Sequence, residues 1–300
     1  MKDGINRLFT PLEIRRLAGL SIGSRFPIEG TMLGSHRSHL KGVSLEFSDY
    51  RAYVPGDDLR QLDWRVFARN ERLYVRQYEQ ECNLRVYLMV DASGSMAYSY
   101  AGRPSKFAFG AKLAAAVAYI TISQQDNAGL TLFDSAVRSQ LPPRGGAEHL
   151  RILANRLYEY EPAKETNIAQ TLHAMAENVR RRGLVVIVSD LFDDLERVRP
   201  ALAHFRRRRH DVILYHVMDK AEIDFPFTGD TAFTDLETGE QLPINPREIR
   251  SAYSEQIQEF LFGCRQICAA LDIDYVLAGS EQEVTLLLQR HLSRRRKIGR

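Results

Sequence analysis

Cysteine is scarce: the 300-residue chain holds three, Cys82, Cys264 and Cys268. So odd and sparse a set excludes a disulfide framework and fits a reducing compartment. Cys264 and Cys268 stand one helical turn apart with no second ligand pair nearby, which favours core packing over a zinc site. An excess of charge of one sign is also lacking. Lys and Arg number 41 against 38 Asp and Glu, a net charge of +3, which is too weak a bias for a surface devoted to nucleic acid. Short basic runs at 180–182, 206–209 and 294–297 read as solvated helix ends, where cations complement the helix dipole, with a polyanion site as the alternative. Long apolar runs are missing too. Residues 1–6 contain no apolar signal region, and the longest mostly apolar stretch, Leu113–Ile122, falls well short of a bilayer core of ~30 Å. The expectation is a cytoplasmic protein without direct membrane insertion. No glycine-rich phosphate loop, dinucleotide fingerprint or Cys/His nucleophile pair is present, so an enzyme is not expected.

What is present is alternation. Pro11–Leu20 reads as a short amphipathic helix and residues 21–45 as loop. Residues 46–81 are dense in charge and aromatics, with a strand over Leu73–Tyr78. From Leu84 the pattern becomes strand and helix in turn. Strands are expected at 84–90, 128–133, 184–188, 211–217 and 273–277. Helices are expected at 105–123, 147–158, 167–181, 195–208, 246–271 and 281–290. Residues 136–141 pair as a hairpin with the strand before them, and 231–244 form another, turning at 237–239. Gly183 breaks the chain before Leu184–Val188, whose unbroken apolar run marks a strand buried on both faces. Repeated strand–helix units predict an α/β fold: a doubly wound, mostly parallel sheet with helices on both faces. The expected division is an irregular or β amino-terminal segment at 1–81, the α/β domain at 82–292, and a basic tail at 293–300.

One loop stands out. Val90-Asp-Ala-Ser-Gly-Ser-Met96 follows the first strand of the α/β pattern, at the carboxyl end where such sheets bind ligands. Its donors are a carboxylate and two hydroxyls, which suit a hard divalent cation such as magnesium. Such an ion needs further oxygens, and Thr166, before a helix, and Asp190, ending the buried strand, stand where the topology would supply them. The bland alternative is that these residues only cap helices. Thr171 competes with Thr166 but falls inside the expected helix.

The Asp91, Ser93, Ser95, Thr166, Asp190 series on this strand pattern resembles the metal-ion-dependent adhesion site (MIDAS) of the von Willebrand factor A domain. Residues 42–70, from Gly42 through Glu46-Phe and Asp49-Tyr-Arg to Pro55-Gly-Asp-Asp, Leu62-Asp-Trp and Ala68-Arg69, resemble the signature block of the family called domain of unknown function 58. The two resemblances imply a von Willebrand factor A-like fold and a non-enzymatic, metal-dependent adaptor. It would work with a MoxR-type AAA+ ATPase, in a chaperone-like role, on assembly or maturation of a client protein. They also imply that Ser93, Ser95 and Thr166 touch the metal, with Asp91 and Asp190 acting directly or through water.

Within the block, Arg51, Asp57, Asp58, Arg60, Asp63 and Trp64 have two readings. One is a salt-bridged collar with Trp64 as apolar anchor; the other is a partner-docking face. His36 and His39 lack the further ligands that a metal would need. Two other functions compete with the adaptor. A phosphohydrolase with Asp91 as nucleophile would want a second carboxylate two residues later, where Ser93 stands. A nucleic-acid binder would use the arginine runs.

Overall fold

The structure, a computed structural model, describes residues 4–26, 46–55, 62–70, 72–79, 83–162, 167–228, 231–234 and 241–298. Cys82, His36, His39 and the turn at 237–239 lie outside these. In chain order the elements are α1 (Pro11–Leu17), β1 (Glu46–Ala52), α2 (Trp64–Asn70), β2 (Tyr74–Glu79), β3 (Arg85–Asp91) and α3 (Lys106–Ser123). Next come β4 (Asn127–Phe133), β5 (Val137–Arg144), α4 (Ala147–Glu159), α5 (Ile168–Asn178), β6 (Leu184–Ser189), α6 (Leu195–Arg207) and β7 (Asp211–Met218). Last are α7 (Lys220–Asp224), β8 (Thr231–Thr234), β9 (Gln241–Ile244), α8 (Pro246–Ala270), β10 (Asp274–Gly279) and α9 (Val284–Ile298). Two compact units result: Met1–Arg25 with Arg85–Arg300, and Phe26–Leu84.

In the larger unit six strands form one sheet in the order β10-β7-β6-β3-β4-β5. All neighbours are parallel except β4 and β5, the edge hairpin. The chain leaves β3 toward β4 and later returns on the other side as β6, so β3 sits at the switch point. Alternation sorts the buried strands by face. Val185, Ile187, Val212 and Leu214 pack with residues of α5, α6 and α8, including Cys264 and Cys268. The opposite face receives α3, which approaches closely because Gly110 leaves room for the Val188 side chain, 3.0 Å from where a Cβ would stand.

Helix α3 passes by length and composition as a membrane span, yet 78% of it is buried inside the fold. Its apolar surface is spent on the sheet, α4 and α9.

The first 25 residues group with the α/β unit for reasons their polar contacts make plain. Thr10 and Glu13 close a capping box on α1, and Lys112 of α3 reaches Glu13 at 2.6 Å. Gln124 exchanges two hydrogen bonds with the Ile22 backbone. Arg25 pairs with the buried Asp211, which also receives Arg295 of α9. Two of the basic runs are therefore structural in part. Arg206 donates to the Leu271 and His210 carbonyls. Arg295 is buried rather than a solvated helix end, and α9 runs through the expected tail to Ile298.

In the smaller unit β1 and β2 pair antiparallel, with a bulge between Phe47 and Asp49. A bridge between Leu62 and Val75 brings in the start of α2. Neither β1 nor α2 shows in the periodicity of 46–81, because both are short and interrupted by charge.

Candidate metal centre

Each of four consecutive parallel strands delivers an aspartate at its carboxyl end: Asp91 on β3, Asp134 after β4, Asp190 after β6 and Asp219 after β7. All four are buried to within 1% of full exclusion from solvent. A buried carboxylate must be hydrogen-bonded and charge-balanced or it takes up a proton.

Three of the four are balanced. The Asp134 carboxylate accepts from the Arg138 Nε at 2.7 Å and from the Ala136 amide. Asp219 caps α7 through the Ala221 amide and accepts from the Ser280 hydroxyl at 2.5 Å, with Arg103 at 3.9 Å. Asp190 accepts from the Lys106 Nζ at 2.8 Å and from the Phe192 amide. Asp91 alone has no basic side chain on it among the described residues. Its Oδ2 accepts from the Ser189 hydroxyl at 2.6 Å and its Oδ1 from the Ser93 amide at 3.0 Å. Burial, reinforced by the neighbouring Asp190 charge, pushes the Asp91 carboxyl up to about 7 against those hydrogen bonds.

The loop after β3 is held in register by the Ala92 amide, which donates to the Phe133 carbonyl at 2.7 Å. It then makes a 3-10 turn over Gly94–Ala97 with Ser93 at its N-cap, and the Ser93 side chain makes no capping bond. Its hydroxyl instead lies 3.1 Å from that of Ser95. Ser93 is buried and Ser95 half-buried, so the Ser95 end is the open one. Capping does not account for this pair of hydroxyls.

The structure thus brings Asp91, Ser93, Ser95 and Asp190 to one sheet edge. Thr166 lies outside the described residues. Thr171, in the first turn of α5, spends its hydroxyl on the Asp134 carbonyl at 3.1 Å. In the charged block, Asp57, Asp58 and Arg60 also lie outside the described residues, and Arg51 pairs with Val75 across β1 and β2. Asp63 caps α2, accepting from the Arg65 and Val66 amides. Trp64 is 61% exposed and touches Phe67 edge-on.

Sequence reasoning missed Lys106 and Glu222. Lys106 is the first residue of α3, and its Nζ lies 2.6 Å from Glu222 Oε1 as well as 2.8 Å from Asp190. Burial pulls its pKa down, but the two carboxylates outweigh burial and hold it above the ordinary lysine value. Burial also lifts Glu222, with Lys106 opposing. One ammonium therefore serves two carboxylates while Asp91 goes uncompensated. The one available signal was a lysine at the entry of an otherwise apolar helix. His216 lies beneath, its Nε2 2.8 Å from the Asp190 carbonyl and its Nδ1 2.8 Å from the Tyr275 hydroxyl. A carbonyl only accepts, so Nε2 carries the proton and Nδ1 accepts from Tyr275. Burial holds His216 down at about 4.

These residues fit a hard cation. They offer a buried carboxylate that lacks a counter-charge, a second carboxylate beside it and two adjacent hydroxyls, with no soft donor.

A family profile described as "Protein of unknown function DUF58" matches residues 49–260. An uncharacterized protein of Mycobacterium tuberculosis strain H37Rv is 28% identical over 226 residues, covering 74% of this chain and 70% of that protein. An uncharacterized protein of Mycobacterium avium is 35% identical over 75 residues, 24% of this chain and 42% of its own. Among solved structures, the conserved hypothetical protein BatB of Bacteroides thetaiotaomicron aligns with a TM-score of 0.49 at 16% identity, over 72% of this chain and all of that one. An aerotolerance-related membrane protein of Bacteroides fragilis gives 0.48 at 15%, over 71% and 100%.

Proposed function

The chain belongs to the DUF58 family, and from that premise we propose that it is a cytoplasmic, non-enzymatic binding module of the von Willebrand factor A type whose partner contact is gated by a divalent cation, in the first instance magnesium. One observation carries the reading. Asp91 is a fully buried carboxylate with no basic partner among the described residues, bonded to the amide of Ser93, whose hydroxyl lies 3.1 Å from that of Ser95. The sheet order, with β3 at the switch point and one antiparallel edge hairpin, supports the fold assignment.

Ser93, Ser95, Asp91 and Asp190 would hold the ion, with Thr166 added by the family resemblance. A cation held largely by neutral hydroxyls keeps net positive charge and an open coordination position, which suits a carboxylate from another protein. The chain's own part is to keep the loop rigid, through the Ala92 and Ser93 backbone bonds, and to keep Asp190 oriented through Lys106 and the Phe192 amide. The partner proposed is a MoxR-type AAA+ ATPase acting with this chain, chaperone-like, on a client protein.

The test is capture of the native ATPase by the full chain with magnesium and with chelator, beside the Ser93→Ala, Ser95→Ala double variant. Retention only with magnesium, lost in the double variant at unchanged fold, is the expected result. Equal retention in chelator would remove the gate.

A further inference from the structure

We infer that helices α5 and α6 together carry a separate metal site, made by His173, Glu177 and His204, whose chemistry selects a zinc-type transition ion rather than magnesium. His173 and Glu177 are four residues apart on α5 and so share a face. His204 comes from α6, packed alongside. One ligand atom from each of the three falls within 4.8 Å of the other two. The His173 Nε2 lies 3.9 Å from Glu177 Oε1, and the two imidazole rings are 4.6 Å apart at a 48° tilt. Tetrahedral zinc with bonds of about 2.0–2.1 Å sets its ligand atoms about 3.4 Å apart. The separations here, within 4.8 Å, exceed that spacing by at most about 1.4 Å.

A second observation points the same way. The His204 Nδ1 is buried and has no hydrogen-bond partner among the described residues. Buried ring nitrogens are normally satisfied, and one left open is costly unless something else engages it.

The ligand set decides the ion. Two imidazoles and one carboxylate suit zinc and its neighbours, whereas magnesium wants oxygen throughout. Three protein ligands on an exposed helix face leave a fourth position for water or an incoming group. The site is distinct from the Asp91 loop. Helix α6 starts at the strand-end edge, where Asp193 accepts from the Ala169 amide of α5, and His204 lies about 14 Å further along it at 1.5 Å per residue. An ion there would clip α5 to α6 and stabilise only the folded chain.

The experiment is titration of the untagged full chain with zinc chloride and, separately, magnesium chloride, by calorimetry. About one equivalent of zinc at micromolar affinity or tighter is expected. His173→Ala and His204→Ala should each weaken it by about tenfold or more, and Glu177→Gln by less. Asp91→Asn should leave it unchanged, which separates this site from the loop. His173 and Glu177 are exposed, so their variants keep the fold even if His204→Ala does not. Zinc affinity shifted by less than about threefold in both His173→Ala and Glu177→Gln, or no zinc bound below about 100 µM, would overturn the site.

Discussion

Lys106 and Asp190 form an ion pair from which solvent is wholly excluded, Nζ to Oδ2 2.8 Å. The pair joins the first residue of the central helix to the end of a central strand, and Glu222 shares the same ammonium at 2.6 Å. Burying charges is expensive, and breaking such a pair from one side costs more than the pair contributes. This internal cation is committed to Asp190 and Glu222. That commitment is why Asp91 lacks one.

Lys106→Met should therefore destabilise the chain by about 3–5 kcal/mol, because it strands two buried carboxylates. Urea unfolding at pH 7.5 measures it. Magnesium should recover part of the loss in the variant by restoring positive charge beside Asp190. A variant as stable as the parent would show that the pair is energetically neutral.

Asp91→Asn should raise the stability of the metal-free chain at pH 8 by on the order of 1–3 kcal/mol. Folding lifts this carboxyl from its ordinary 3.8 to about 7, so between those values the folded chain binds more protons than the unfolded one. The group's contribution is complete below about pH 4 and is lost as pH rises through 7. The difference between parent and variant should grow across that window in chelator and shrink with magnesium. Calorimetric melts at pH 5, 6.5 and 8 read it directly.

His216 works with the opposite sign. The folded chain keeps it neutral down to about 4 against 6.5 unfolded, so its contribution is complete above 6.5 and is lost as pH falls toward 4. In the parent the two groups oppose each other. In the Asp91→Asn background the acid-side slope of His216 should emerge, added to that of His210, which burial also holds down, so stability falls from pH 6.5 to 4.5. A flat profile there would mean that His216 is not held neutral. Tyr275→Phe, which removes the donor to its Nδ1, should cost about 1 kcal/mol at pH 7.5 by urea unfolding.

Gly183→Ala should cost about 1–3 kcal/mol, since a Cβ there would meet the Arg85 carbonyl oxygen at 2.3 Å. That nearest contact is backbone, which cannot swing aside, and the Tyr87 ring follows at 2.9 Å. A thermal midpoint within a degree of the parent would show that the strands separate locally without penalty.

Much of the frame was legible from periodicity. The run Leu184–Val188 became β6, buried on both faces. The expected hairpin at 136–141 became β5 at the sheet edge, and the helix expected at 246–271 became α8, with Asn245 as its N-cap. Hidden were β1, α2 and the polar strap at Arg25, which consist of short or isolated residues whose partners lie far along the chain. Asp211 is 186 residues from Arg25.

The sequence by itself determined that strands and helices alternate, that Asp91, Ser93 and Ser95 follow the first strand of that pattern, and that their donors are hard. These follow from local order, which fixes periodicity and the chemistry of adjacent side chains. Only the tertiary structure decided which buried carboxylates are neutralised. Charge balance in a low-dielectric edge depends on distances between elements, and Lys106 reaches Asp190 across 84 residues of chain. The same holds for His173 and His204, which share a face only because α5 packs on α6.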